Sequence, residues 1–242
     1  MSKRIVIDPG HGGSDSGAVG YGLQEKNINL DIALHLQSKL ANYADVSLTR
    51  NSDTFISLSD RAAYANKIAA HFFISIHVNA GGGTGFESFT YTDNNAEDEH
   101  LREIIHKQAA VFYAANGFPD RGMKKANFAV LRETHMPSVL LENLFIDTQA
   151  DAQKLKNPAV RKNIAAAIAD GVIKALSLQG SVPQPTPQPT LPPIIPPGHW
   201  AGPDFERLMK AGLVQGQHNL EAAVTWGEMS ATLARLLDKL GL

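Results

Sequence analysis

Lys3-Arg4-Ile5-Val6-Ile7-Asp8-Pro9-Gly10-His11-Gly12-Gly13 is the stretch from which the rest of the chain is read. Ile5-Val6-Ile7 supplies the β-branched bulk of a buried strand, predicted over Lys3 to Ile7. Pro9 and Gly10 stop it. A histidine thrown out at a strand end between glycines, which let other groups approach its backbone, is placed for ligand or substrate work. The ordinary alternative is a turn histidine of no consequence, and its partners elsewhere decide between the two.

Strand-like and helix-like segments alternate behind it. Val46–Thr49, Phe72–Ile76, Phe86–Tyr91, Phe128–Leu131 and Ser138–Leu141 are strand candidates. Ile28, Ile32, Leu36 and Leu40 form one helical stripe, as do Ile164, Ile168, Val172 and Leu176 within a helix from Val160 to Leu176. Leu58–Ala70, after a Ser57 or Ser59 cap, and Ala96–Ala115 complete the helical patterns. Strands separated by helices predict an α/β fold, a largely buried sheet with its sites at the carboxyl ends of the strands. The loops after Ile7, Ile76 and Leu141 are then neighbours in space.

The 242 residues are 43% hydrophobic and 19% charged, an ordinary globular composition, with a net charge of −2. No long Lys/Arg run is present, so no nucleic-acid partner is expected. There is no cysteine, which excludes disulfides, thiolate metal sites and cysteine nucleophiles. Any transition-metal site must use His, Asp and Glu. No apolar run suits a signal peptide or a membrane span, so the expectation is a chain made in the cytoplasm. Proline density from Val182 to Pro197 predicts an extended spacer. The expected division is therefore a catalytic domain at 1–178, a linker at 179–197 and a small helical module at 198–242. A module so short holds a meagre core and suits partner binding or self-association.

His11, Glu25, His77 and Glu142 stand out once strand ends are aligned. His77 lies in Ser75-Ile76-His77-Val78-Asn79-Ala80, Glu25 opens the helix after the first loop, and Glu142 ends a strand in Leu140-Leu141-Glu142-Asn143. Each has an ordinary reading when taken singly: a core or loop histidine, a helix-dipole partner for Glu25, a rim acid for Glu142. Together at element edges on one face they point to chemistry. Two histidines and a carboxylate make a known class of catalytic zinc site with an open fourth position. The metal lowers the pKa of water from about 15.7 to about 7, and a second carboxylate can move that water's proton. His35, His100 and His106 fall inside helical patterns and read as surface or boundary residues.

The series Asp8-Pro9-Gly10-His11-Gly12-Gly13, Glu25, Ser75 to Ala80 and Pro137-Ser138-Val139-Leu140-Leu141-Glu142 resembles the zinc-dependent N-acetylmuramoyl-L-alanine amidases of phage endolysins and bacterial autolysins. Thr49-Arg50, Arg61 with Asn66, Gly85-Phe86-Glu87, Arg121-Gly122 and Asn127 to Arg132 support the likeness, which spans about residues 3 to 177. The resemblance implies a twisted, mostly parallel mixed sheet flanked by helices. It implies one Zn2+ ion on His11, Glu25 and His77, Glu142 as catalytic acid/base, and Asn79 and Arg121 at the substrate. Peptidoglycan is the implied substrate, cut between N-acetylmuramic acid and L-alanine, in the setting of a phage or prophage endolysin lysing its host. One departure stands at Asn143-Leu144-Phe145, where relatives often carry Gly before the Phe. His199-Trp200-Ala201, Leu213 to Gly216 and Thr225 to Glu228 resemble more faintly one S-layer homology repeat, implying a cell-wall polymer as partner. Trp226 stands there where such repeats carry Arg. Two other readings stay open: a zinc peptidase or deacetylase acting on the wall, and an inactive wall-binding protein.

Overall fold

The computed structural model describes residues 2–180. The expected linker beyond 180 and the module at 198–242 lie outside them. In chain order the elements are β1 (Arg4–Pro9), β2 (Val19–Gly20), β3 (Leu23–Gln24), α1 (Glu25–Leu40), β4 (Asp45–Leu48), α2 (Leu58–Lys67) and β5 (Phe72–Asn79). There follow β6 (Phe86–Thr90), α3 (Ala96–Ala115), β7 (Asp120–Lys125), α4 (Ala129–Arg132), β8 (Ser138–Phe145), α5 (Gln149–Lys156) and α6 (Pro158–Ala175).

Six strands form one sheet in the order β4-β1-β5-β8-β6-β7. The first four are mutually parallel, β6 is antiparallel to β8, and β7 is parallel to β6. Side chains alternate across the sheet, as strand geometry requires. Ile5, Ile7, Ile74 and Ile76 join α1, α3 and α6 in one core, while Val6, Phe73 and Leu140 join Ala65 of α2 with Val130 and Leu131 of α4 in another. With both faces covered, the central strands read as continuous apolar runs. The fold is thus the expected α/β layer, a mostly parallel mixed sheet flanked by helices.

Two local expectations are corrected, and one strand was not foreseen. Phe128–Leu131 is not a strand: Ala129–Arg132 makes a single helical turn, since a four-residue apolar run suits either state. The strand at 138 runs on to Phe145, so Glu142 sits within β8 rather than at its end. β7 had no periodic signal, because Asp120-Arg121-Gly122-Met123-Lys124-Lys125 is polar almost throughout. Among the described residues no helix is long and apolar enough to cross a membrane.

The β5–β8 register slips between His77 and Asn79, where β8 carries extra length. Leu144, within the stretch where the sequence departs from the family it resembles, has φ 69°. That is the left-handed region a glycine occupies without strain. Leu144 is 1% exposed, so burial of its side chain holds the backbone there. Asn143 fills the slip: its Nδ2 donates to the carbonyl of His77 (2.9 Å), and its Oδ1 accepts from the Tyr113 hydroxyl (2.7 Å).

Candidate metal centre and active site

His11 leaves the end of β1 with φ 62°, an uncommon conformation for a non-glycine residue. Two buried arginines hold this loop. Arg61 donates to the carbonyls of Pro9 (2.7 Å) and His11 (2.8 Å) and to Asp8 Oδ1 (2.8 Å). Arg50 donates to the carbonyls of Pro9 (3.0 Å) and Gly10 (2.8 Å). Asp8 completes the network by accepting from Thr49 (2.6 Å) and Ser75 (2.7 Å). The backbone at Gly10 passes so close to His77 that a Cβ there would lie 2.3 Å from its ring.

Glu25, at the first position of α1, points its carboxylate between both imidazoles. Its Oε2 lies 3.2 Å from His11 Nε2 and its Oε1 lies 2.9 Å from His77 Nδ1. Asn29 Nδ2 (3.2 Å) and the backbone N–H groups of Ala18 (2.9 Å) and Val78 (3.2 Å) also donate to it. On the far side of His11, Nδ1 meets Asp15 Oδ2 at 2.8 Å. One donor atom each from His11, Glu25 and His77 lies within 4.8 Å of the others, so the group can hold a metal ion. Among the described residues no other His/Cys/Asp/Glu cluster does so.

The charges agree with this geometry. Burial works against the charged form of His11, but Glu25 and then Asp15 outweigh it and raise its pKa from 6.5 to about 9. His77 follows the same pattern: burial opposes the charge, and Glu25 with Glu142 pushes the pKa up. Burial would raise Glu25, yet hydrogen bonds to His11 and His77 hold it well below the usual carboxylate range. Glu142 pairs with His77 across the β5–β8 register. Burial lifts its pKa to about 7, with the His77 charge opposing and the Glu25 and Glu87 charges adding. Its Oε2 is buried with no hydrogen-bond partner.

A cleft of about 180 Å³ adjoins His11 and His77, walled by Phe55, Ile56 and Leu58. A larger hollow of about 540 Å³ around Lys3, Tyr43 and Leu178 lies at the opposite end of the sheet and contains none of these groups. Asn79 and Arg121 meet on a third carboxylate, Glu87, at 2.7 and 2.8 Å. The positioning roles of Asp15, Glu87 and Asn143 escape sequence reading, because polar residues in loops and at strand irregularities follow no period. Gly85-Phe86-Glu87 within the resemblance was the one available hint. His106, expected near the surface, is 2% exposed and bonded to Ser88 (2.7 Å) and Asp120 (2.8 Å), since α3 turns that side onto the start of the sheet's reversed half.

A buried, mostly parallel sheet with a His–Glu–His group and an unpartnered acid at its carboxyl edge defines an α/β enzyme with a metal-capable site. The Amidase_3 family, described as N-acetylmuramoyl-L-alanine amidase, matches residues 5–174. The chain is 51% identical over 179 residues to the sporulation-specific N-acetylmuramoyl-L-alanine amidase of Bacillus subtilis (strain 168), covering 73% of this chain and 69% of that protein. It is 40% identical over 193 residues to the endolysin of Bacillus phage SPP1, covering 76% and 71%. Among solved structures, the catalytic domain of CwlV, N-acetylmuramoyl-L-alanine amidase from Bacillus (Paenibacillus) polymyxa var. colistinus, aligns with a TM-score of 0.68 and 36% identity, over 73% of this chain and 99% of that one. The N-acetylmuramoyl-L-alanine amidase of Clostridium difficile 630 aligns with a TM-score of 0.69 and 35% identity, over 73% and 97%. The chain belongs to the Amidase_3 family and is an N-acetylmuramoyl-L-alanine amidase, a hydrolase that degrades the cell wall.

Proposed function

We propose that the chain cuts the amide between the lactyl group of N-acetylmuramic acid and L-alanine with one zinc ion held by His11, Glu25 and His77, and Glu142 as acid/base. The observation that carries this reading is the Glu142 carboxyl, buried, unpartnered at one oxygen and paired in register with His77 of the three-donor group.

The donor set fits the ion. Ligands at about 2.0–2.1 Å from a tetrahedral zinc lie about 3.3 Å from one another, and the Glu25 oxygens already stand 3.2 and 2.9 Å from the two imidazoles. Asp15 beside Nδ1 of His11 fixes the ring so that Nε2 turns to the group, the usual role of a carboxylate behind a ligating histidine. A bound zinc ion would polarise the scissile carbonyl and acidify a water. Glu142, with a pKa near 7, accepts a proton from a water beside it and returns one to the departing alanine nitrogen. Its burial keeps it balanced between those two tasks. Phe55 and Leu58 shape the adjoining wall of the cleft.

The lysis setting expected from the sequence has the phage SPP1 relative behind it, and the sporulation-specific relative represents another use of the same reaction. The division into a catalytic part at 1–178, a linker at 179–197 and a wall-binding or self-associating module at 198–242 is part of the same proposal.

Mass spectrometry of digested peptidoglycan, with and without a chelator, tests the reaction. New L-alanine amino termini beside intact muramic acid are expected, and only without chelator. A peptidase or deacetylase would leave a different bond cut. Glu142→Ala is expected to keep zinc and lose about 10²- to 10⁴-fold in rate, whereas His77→Ala loses both. Full activity in either variant overturns the assignment.

A further inference from the structure

Glu87 is 4% exposed, yet three cationic or polar groups converge on it: Asn79 Nδ2 at 2.7 Å, Arg121 Nε at 2.8 Å, and Lys124 Nζ. Burial would raise its pKa, and the hydrogen bonds from Lys124 and Arg121 outweigh that and lower it. The antiparallel register sets Glu87 directly opposite Glu142. Arg121 reaches back over β8, its guanidinium carbon 4.8 Å from the ring centre of Phe145. A guanidinium gripped at Nε by a buried carboxylate and stacked on a buried ring is locked in orientation. Its two Nη groups have no hydrogen-bond partner among the described residues, and the side chain is 35% exposed. Two cations on one carboxylate also leave surplus positive charge. This is the arrangement that recognises a carboxylate through a two-pronged fork.

Resting on the amidase reading, we propose that Arg121, with Lys124 beside it, reads the first free carboxylate of the stem peptide. That group is the α-carboxylate of the residue after L-alanine. The peptide then runs over β7, and the sugar is left to the wall of Phe55 and Leu58. The lengths agree. An extended residue spans about 3.5 Å, so that carboxylate lies about 7 Å from the scissile carbon. Phe145, under the guanidinium, is three residues beyond Glu142 on the same strand, about 10 Å at strand rise. The glycan side of the scissile bond carries no anion, because the lactyl carboxyl is consumed in the amide. Charge therefore sets the direction in which substrate lies.

The test uses the full chain and uncrosslinked peptidoglycan strands whose second stem residue is D-glutamate, with a free α-carboxylate, or D-isoglutamine, its neutral amide. The wild type is expected to cleave the acid strands with a kcat/KM about 10- to 100-fold higher, the range of a charged hydrogen bond. Arg121→Gln is expected to abolish that preference, raising KM far more on the acid strands than on the amide strands. Arg121→Lys, which keeps the charge on Glu87, retains part of the preference. Equal losses on both strands, or a wild type without preference, overturn the subsite and leave Arg121 a support for Glu87. Release of L-alanine termini from neither strand overturns the amidase reading itself, and the subsite with it.

Discussion

At the scale of single residues, His11 is held against its own preference. A φ of 62° on a non-glycine residue costs of order 1 kcal/mol or more, and the Arg61 and Arg50 hydrogen bonds to residues 9–11 offset it. The proton on His11 is equally constrained. Its folded pKa of about 9 exceeds the unfolded value of 6.5, so in the metal-free protein its pairing stabilises fully below pH 6.5. That contribution is lost as pH rises through about 9. A metal needs the neutral ring, so binding at pH 7 must expel this proton. Calorimetry of zinc binding in buffers of different ionisation heat is expected to read at least about one proton released at pH 7, falling as pH passes 9. Heats independent of the buffer at pH 7 would mean that His11 is already neutral. The two histidines were readable because each interrupts a strand-and-glycine pattern. Asp15 was not, since an aspartate in a polar loop is unremarked until the chain folds it onto a ring nitrogen.

At the scale of elements, apolar rhythm served well wherever an element is buried on a face. α1 and α6 follow their stripes to within a residue or two of the expected ends. It failed at β7, an edge strand held to β6 by its backbone ladder and by the Arg121 and Lys124 side chains on Glu87, neither of which leaves an apolar rhythm. Nor could the stripe reveal how closely the helices approach. Gly171 of α6 lies so near α3 that a Cβ would sit 2.9 Å from Ile105 Cα and 3.0 Å from its carbonyl oxygen. Gly171→Ala gains about 1 kcal/mol of helix propensity, but the contact is backbone against backbone and cannot yield cheaply. A net loss of about 1–2 kcal/mol is expected in urea unfolding. A more stable variant would mean that the helices separate freely.

At the scale of the whole molecule, the class of fold followed from the alternation of strands and helices, but the reversal at β6 did not. Antiparallel pairing to β8 brings the beginning of β6 to the edge where β1, β5 and β8 end. Glu87, second in its strand, thereby comes level with Glu142 and His77, which lie in the later halves of theirs.

The strand order also sets a sequence of assembly. All three donor residues precede Ala80, and β4, β1 and β5 pair with one another using only that part of the chain. The acid arrives on β8, whose Glu142 must find His77 across 64 intervening positions, the slower closure. A refolding chain is therefore expected to build its ion-holding half first and to become a hydrolase last. In stopped-flow refolding, zinc is expected to leave a colorimetric indicator in a faster phase than cleavage returns; a single shared rate would show that both halves form together. A chain that folds in this order holds its metal before it can cut anything.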